Sequence, residues 1–218
     1  MTLAVLLALS YLIGAFPSAI LIGRAARGVD IRDHGSGNAG ATNAWRVLGW
    51  RVGLPVAILD VAKGAAAAAG IARLPLGALP LNLDVVAILC GLAAVVGHVF
   101  PIYTGFRGGK GVATAGGMLI ATAPLPVGCA VGAFLAALLL SGTVSVGSIL
   151  GAWAIPVSSL LLDRFTRFSY PPLLIGLTIG LALFIVYTHR ANIVRLLHGE
   201  ERSFPRLQLW RYLPHRRR

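Results

Sequence analysis

The sequence predicts an all-α integral membrane protein with about seven transmembrane helices, two of them short. Hydrophobic residues make up 57% of the 218 residues and charged residues only 12%, a composition typical of multi-spanning membrane proteins. Long apolar runs recur along the chain, and Lys and Arg gather between alternate runs, as the positive-inside rule requires. The formal net charge of +12 therefore reflects topology, and no nucleic-acid partner is needed to explain it.

The first three spans are predicted at residues 2–23, 54–72 and 84–103. Gly14 and Pro17 interrupt the first span. Residues 24–53 carry five arginines around a glycine-rich stretch, which predicts a cytoplasmic loop. Asp60 and Lys63 lie within the second span, one helical turn apart. This spacing allows a mutual ion pair, and a role beside a binding site is the alternative.

Two short spans are predicted at residues 112–123 and 127–140, separated by Pro124 and Pro126. About 20 residues are needed to cross a bilayer, so a thin or partly re-entrant helical pair is expected. The last two spans are predicted at residues 145–162 and 171–187.

Seven crossings leave the N-terminus outside and the C-terminus in the cytoplasm. Fifteen of the 19 Lys and Arg residues then face the cytoplasm and three face outward, with Lys63 left in a span. We expect residues 1–201 to form one membrane-embedded domain and residues 202–218 a basic cytoplasmic tail.

The stretch at residues 35–43 reads GSGNAGATN, nine small or polar residues in an otherwise apolar chain. Glycines allow the backbone to turn sharply and approach a ligand, and exposed backbone N–H groups form an anion-binding nest. Phosphate is therefore the first ligand to consider. The candidate binding residues here are Gly35, Ser36, Gly37, Asn38, Gly40, Thr42 and Asn43.

A second motif, GHVFPIYTGFRGGKGVAT, spans residues 97–114 and places one cation among glycines. Lys110 suits a phosphate oxygen as a mobile point charge, and Arg46 would complement it as a planar fork. Further along the chain, a Ser/Gly-rich patch and a His-Asn pair follow two other spans. The candidates in these segments are His98, Gly108, Gly109, Gly111, Ser145, Ser148, His189 and Asn192.

The glycine motifs do not fit a nucleotide fold. The segment before Gly35 is not the apolar strand that a dinucleotide fingerprint requires, and Gly111 stands where a P-loop needs Ser or Thr. No metal site is predicted, and no cofactor. Under the predicted topology, all the polar glycine-bearing segments face the cytoplasm. The two classes left open are an enzyme acting on phosphorylated substrates and a membrane transporter of an organic phosphate.

In order, the motifs GSGNAGATN, GHVFPIYTGFRGGKGVAT, the Ser/Gly-rich turn and HRANIVRLLHGEE resemble those of the bacterial acyl-phosphate:glycerol-3-phosphate acyltransferases. The resemblance extends from about residue 10 to residue 201. It implies a seven-helix enzyme of the inner membrane with its active site on the cytoplasmic side. Ala39 stands where many members carry proline. The resemblance implies no cofactor, and we expect no obligate protein partner.

The implied reaction moves a fatty acyl group from acyl-phosphate to the 1-hydroxyl of sn-glycerol 3-phosphate, giving lysophosphatidic acid and phosphate. By resemblance, the residues that contact glycerol phosphate are Arg46, Lys110, His189 and Asn192. The glycine-rich stretch would cradle the acyl-phosphate head, with Asp60 and Lys63 nearby. Ser36, Lys110 and His189 are the predicted catalytic residues. Either His189 or a substrate phosphate oxygen takes the hydroxyl proton, and no covalent acyl-enzyme is expected.

Overall fold

The computed structural model describes residues 1–79 and 81–208, and the regular structure within them is helical. The α-helices are α1 (Thr2–Gly14), α2 (Ser18–Arg27), α3 (Ala41–Leu48), α4 (Trp50–Ala65), α5 (Leu83–Val99), α6 (Val112–Thr122), α7 (Pro124–Ser141), α8 (Val144–Phe165), α9 (Pro172–Thr188) and α10 (Arg190–Leu197). The chain divides into two compact units, Met1–Pro124 and Leu125–Arg218. The predicted boundary at residue 201 stays a prediction, and residues 209–218 of the predicted basic tail lie outside the described residues.

The predicted all-helical membrane architecture is confirmed in its coarse form. Within the described chain, five segments are long and apolar enough to cross a membrane: Thr2–Arg27, Trp50–Arg73, Leu83–Thr104, Pro124–Ser141 and Val144–Phe165. Helices α9 and α10 meet at a 59° bend and would count as a sixth span together. Helix α6 has only 11 residues, so the prediction of a short helix here is confirmed. The count of seven crossings stays a prediction.

One of the two predicted short spans is wrong in length. The segment expected at residues 127–140 begins at Pro124 and forms the 18-residue helix α7. Pro124 and Pro126 lie in the first turn of this helix and not in a connection before it. Proline is tolerated there because the first-turn N–H groups of a helix have no intrahelical partner that proline could remove.

The segment predicted as an arginine-rich loop also contains helix. Helix α3 lies inside the arginine-rich loop at residues 24–53, and α4 already begins at Trp50. Ser145 and Ser148 lie in the first turns of α8, within the span predicted at residues 145–162. Charge and glycine content alone therefore overestimated the length of irregular chain at residues 24–53.

Close glycine contacts pack the helices of the first unit. A Cβ on Gly14 of α1 would overlap the backbone of Ala94 in α5, and a Cβ on Gly117 of α6 would overlap the carbonyl oxygen of Val61 in α4. Small residues at such crossings let helix backbones approach closely, which is how helices associate in membranes. Helices α4 and α5 thereby carry their polar residues into the same packed unit.

The neighbouring glycines of α6 offer a matched test of this packing. A Cβ on Gly116 would meet no atom within 4 Å, whereas one on Gly117 would collide with α4. We expect Gly117→Ala to lower the stability of the folded protein by about 1–3 kcal/mol through overpacking. Gly116→Ala should leave stability unchanged or slightly raised. Thermal unfolding of the two detergent-solubilised variants compares them directly, and equal melting temperatures would contradict the packing described.

In the second unit, glycines of α8 lie against α7. A Cβ on Gly147 would touch Phe134, and one on Gly151 would touch Ala130. The chain after α10 returns to the turn between α7 and α8, where the Phe204 N–H donates to the Gly142 carbonyl over 2.7 Å. The Gln208 amide donates to the Ser141 carbonyl over 2.8 Å. The C-terminal segment of this unit is therefore hydrogen-bonded to the turn between α7 and α8.

Candidate functional site

A buried carboxylate in the first unit gathers polar groups from three helices. The Oδ1 atom of Asp60, in α4, accepts a 2.6 Å hydrogen bond from the Ser18 hydroxyl at the start of α2. The same atom lies 2.9 Å from Lys63 Nζ and 3.6 Å from Nδ1 of His98, which is in the last turn of α5. The predicted Asp60–Lys63 ion pair is thus formed, and two further residues join it.

This cluster lies in segments that are apolar enough to span a membrane. The side chains of Asp60, Lys63 and His98 expose at most 6% of their surface. A single ionised residue at the centre of a membrane helix costs about 2.5–3.5 kcal/mol on insertion scales, so such residues are normally paired and functional. The ammonium of Lys63 also donates to the Phe16 carbonyl over 3.3 Å.

That carbonyl is available because the first apolar segment is broken. Helix α1 ends at Gly14 and α2 begins at Ser18, with Pro17 between them. Proline lacks an N–H and disfavours helical geometry in the residue before it, so Phe16 leaves the helix. Its carbonyl oxygen then points to Lys63 rather than into a helical ladder.

The glycine turn of the second motif folds directly onto His98. The N–H of Gly109 donates to the His98 carbonyl over 3.0 Å. A Cβ on Gly109 would overlap the imidazole ring, and a Cβ on Gly108 would overlap the His98 carbonyl. Only glycine permits this approach, which explains the Gly-Gly pair before Lys110. Gly111 follows in the left-handed region, with φ 86°, as the N-cap of α6.

These elements line a small cleft whose empty space, counted together with the open solvent at its mouth, is about 220 Å³. Its lining includes two cationic side chains, those of Lys63 and Arg107, and the imidazole of His98. The first glycine-rich stretch contributes Ala39 to the same wall. The remaining lining residues are Ala15, Phe16, Pro17, Ser18, Ile20, Pro101, Thr104, Gly108 and Gly109. A small anionic group is the ligand that such a lining favours.

Asn43 determines the shape of the first glycine-rich stretch. It is 2% exposed, and its Oδ1 accepts the Ser36 N–H over 2.8 Å. Its Nδ2 lies 3.0–3.1 Å from the carbonyls of Ile31, His34 and Asn38. Since both ends of this amide are engaged with the loop backbone, the predicted contact between Asn43 and substrate would require the loop to rearrange.

Two glycines of the same stretch lie in the left-handed region, and the anion nest predicted there stays a prediction. Gly35 and Gly37 have φ values of 63° and 72°, which favour glycine. Ser36 is exposed, and Asn38, Gly40 and Thr42 are half-buried before or within the first turn of α3. Arg46 lies in the last turn of the same helix.

An Asp-Arg pair fastens the two glycine-rich loops to each other. The guanidinium of Arg32 donates through Nε and an Nη atom to the two carboxylate oxygens of Asp30, over 3.1 and 2.8 Å. Its other Nη atom donates to the Thr104 carbonyl over 3.1 Å. These hydrogen bonds hold the pKa of Asp30 well below its usual range.

A second polar cluster lies in the second unit around Glu201. One carboxylate oxygen accepts hydrogen bonds from the Asn192 amide and the Ser145 hydroxyl, over 2.6 and 3.0 Å, and the other accepts from Arg195 over 2.8 Å. His189 is buried at the bend between α9 and α10, with Nδ1 2.8 Å from the Ile185 carbonyl. Ser148 is also buried in this unit.

The environment of Glu201 predicts a pH-dependent contribution to stability. Burial alone would raise the pKa of this carboxyl, but the bonds from Asn192, Arg195 and Ser145 outweigh it and lower the pKa. A carboxyl whose pKa is lower in the folded state stabilises the protein above its unfolded pKa, and this contribution is lost as the pH falls through the folded value.

We therefore expect Glu201→Gln to lower the melting temperature at pH 7, and the difference from the unmodified protein to shrink as the pH is lowered below about 4. Thermal unfolding across this pH range measures the difference. Glu200→Gln is the matched control, since Glu200 precedes Glu201 in the sequence and its side chain is exposed. A deficit that does not change with pH would contradict the hydrogen-bonded carboxylate.

Some of the predicted site residues lie close together in the structure, and the roles of the others stay predictions. In the first unit, Lys63, His98, Gly108 and Gly109 line the cleft, and Asp60 contacts the first two of them. In the second unit, Ser145 and Asn192 both donate to Glu201. Sequence reasoning missed Ser18, Arg32, Arg107 and Glu201. The last lies in the HGEE sequence, and its acidic charge after a basic helix was a usable signal. Among the described residues, no three His, Cys, Asp or Glu side chains gather as a metal site.

Comparison with known proteins decides the family. A sequence profile described as "Glycerol-3-phosphate acyltransferase" matches residues 4–199. The chain belongs to the glycerol-3-phosphate acyltransferase family. It is 46% identical over 226 residues to the glycerol-3-phosphate acyltransferase of Chlorobium phaeobacteroides (strain BS1), covering 92% of this chain and 95% of the relative. The corresponding protein of Chlorobaculum tepidum is 44% identical over 224 residues, with 92% and 96% covered.

Solved structures of this acyltransferase family share the fold. The chain superimposes on the crystal structure of PlsY, an integral membrane glycerol 3-phosphate acyltransferase, in its glycerol 3-phosphate form, with a TM-score of 0.81 and 34% identity. The lysophosphatidic acid form of the same protein gives a TM-score of 0.79 and 33% identity. Each comparison covers 94% of this chain and 96% of the other. Both glycine-rich motifs and the Asp60 cluster lie within residues 4–199, which the family profile matches.

Proposed function

We propose that this protein transfers a fatty acyl group from acyl-phosphate to the 1-hydroxyl of sn-glycerol 3-phosphate. Family membership assigns acyl transfer to glycerol 3-phosphate, with lysophosphatidic acid as the product. The observation that carries the proposal is the family match across residues 4–199, which includes both glycine-rich loops around the cationic cleft. An acyl-phosphate donor suits this cleft because its reactive end is an anion.

The chemistry requires little beyond positioning and charge stabilisation. The 1-hydroxyl oxygen attacks the acyl carbonyl carbon, the bond between that carbon and the phosphate oxygen breaks, and inorganic phosphate leaves with the bonding electrons. The hydroxyl proton passes to His189 or to a phosphate oxygen. Because acyl-phosphate is already an activated anhydride, orientation and preorganised cations and N–H groups supply the catalysis, and we expect no acyl-enzyme on Ser36.

Individual residues take their proposed roles from the motifs. In the first unit, Arg46 and Lys110 bind glycerol phosphate, and the stretch at residues 35–43 cradles the donor phosphate. Asn43 supports that cradle through its bonds to the loop backbone. In the second unit, His189, Asn192, Ser145 and Ser148 carry the proposed roles in substrate binding. Each role is tested by an alanine substitution scored on the Michaelis constants of the two substrates.

The proposed topology has seven crossings, with the N-terminus outside and the active site on the cytoplasmic side of a bacterial inner membrane. The short helix α6 and the bent pair of α9 and α10 complete this count. The distribution of Lys and Arg supports the orientation. The lipid bilayer is the proposed environment, and no nucleic acid or obligate protein partner is part of the proposal.

Donor specificity tests the finer part of this proposal. Purified protein in detergent is supplied with radiolabelled glycerol 3-phosphate and one of three donors: palmitoyl-phosphate, palmitoyl-CoA or palmitoyl-acyl carrier protein. We expect lysophosphatidic acid from palmitoyl-phosphate alone. Product from either thioester at a similar rate would contradict the acyl-phosphate assignment while leaving the acyltransferase family intact.

A further inference from the structure

The Asp60 cluster has a geometry that ion pairing alone does not explain. One oxygen, Oδ1, serves Ser18, Lys63 and His98 at once, and each of these residues lines the cleft. The three lie on different elements: the start of α2, helix α4 and the last turn of α5. A single buried carboxylate therefore fixes three walls of the cleft relative to one another.

We infer that Asp60 is a positioning residue for acyl transfer, acting through His98 on the glycine turn that carries Lys110. This inference rests on the proposed catalytic role of Lys110.

Contacts of the His98 ring and backbone connect the carboxylate to the turn. On one side of the ring, Nδ1 faces Asp60. On the other side, the edge that carries Nε2 occupies the space where a Cβ of residue 109 would lie. The backbone also connects His98 to the glycine turn, because the Gly109 N–H donates to the His98 carbonyl. Rotation of the ring would therefore disturb the residue immediately before Lys110.

A purely structural role predicts something different. Replacing a buried ion pair by well-packed hydrophobic residues of similar volume is often neutral for stability, whereas removing one partner leaves a buried charge unpaired and destabilises the protein. The double substitution Asp60→Asn with Lys63→Gln removes both charges together. If the cluster exists only to hold the fold, this double variant should keep its activity wherever it keeps its melting temperature.

We expect the double variant to melt near the unmodified protein and to lose about 100-fold in kcat/KM, the scale of a displacement of about 1 Å in an active site. Asp84→Asn, at the exposed start of α5, removes an acidic charge from the same unit and should keep full activity.

A steric rescue tests the connection through the ring. Gly109→Ala should lower kcat/KM by about 100-fold because its methyl group overlaps His98. His98→Asn keeps an amide directed at Asp60 and shortens the side chain, so adding it to Gly109→Ala should recover about tenfold of the lost activity. Gly116→Ala, whose methyl group meets open space, serves as the control for adding a methyl group near the motif.

The results separate this inference from the proposed function. A double variant with unchanged kcat/KM, or a His98→Asn/Gly109→Ala protein no more active than Gly109→Ala alone, would overturn the positioning role. If charge removal unfolds the protein, the steric rescue still decides. Failure of the unmodified protein to form lysophosphatidic acid would instead refute the proposed function, whatever the variants show.

Discussion

Lys110→Ala should lower kcat/KM for lysophosphatidic acid formation by about 10²–10³-fold, the usual cost of removing one preorganised group that stabilises developing charge. Lys110 lies directly after the Gly108–Gly109 turn and before the N-terminus of α6, beside the cationic cleft. Its loss removes a positive charge from the site where two phosphate-bearing substrates are proposed to meet. Initial rates in detergent, with each substrate varied in turn, measure the effect.

Two further variants make this result specific. Lys110→Arg keeps the charge but replaces a point charge by a planar fork, so partial activity is expected. Arg51→Ala removes an exposed positive charge that lies over the Trp50 ring, and it should leave the rate unchanged. Equal losses in Lys110→Ala and Arg51→Ala would show that net charge, rather than the position of Lys110, controls the reaction.

Asn43→Ala should have the second largest effect, through the shape of the first glycine-rich stretch. Each buried backbone group left without its partner costs about 1–3 kcal/mol, and the substitution removes every hydrogen bond between this amide and the loop. We expect a lower melting temperature and a loss of about 100-fold in kcat/KM, since the loop no longer holds its geometry.

Asn82→Ala is the matched control for that substitution. Asn82 accepts the Asp84 N–H over 2.8 Å as the N-cap of α5 and is exposed. Losing such a cap costs about 0.5–2 kcal/mol, so stability should fall while the activity of the folded protein stays constant. A fully active Asn43→Ala protein would show that the loop does not depend on this amide.

Local sequence patterns were sufficient for the features that depend on a single helix. The apolar runs predicted the helical membrane architecture, and the spacing of Asp60 and Lys63 allowed their ion pair. Pro17 marked the break in the first apolar segment. Each of these follows from helix periodicity or proline geometry within a few residues. The length of α7 was missed because Pro124 was taken as a separator, although proline is compatible with a first helical turn.

Features that depend on contacts between distant residues could not be predicted in this way. Ser18 and His98 reach Asp60 only because their helices pack around it, and nothing in either local sequence specifies that partner. Asn43 looked like a ligand because polar residues near glycines bind phosphate, yet its amide is engaged with the loop backbone. The hydrogen bonds of Glu201 likewise join residues 145, 192 and 201 through a chain reversal.

The most direct test of acyl transfer from acyl-phosphate is the stoichiometry of its two products. Purified protein is given palmitoyl-phosphate and glycerol 3-phosphate, and inorganic phosphate and lysophosphatidic acid are measured from the same reaction over time. We expect equal amounts of both products, with neither formed when glycerol 3-phosphate is omitted. Phosphate release without lysophosphatidic acid would contradict the proposal and favour a hydrolase. Uptake of glycerol 3-phosphate into vesicles that contain the protein, without either product, would contradict it and favour a transporter.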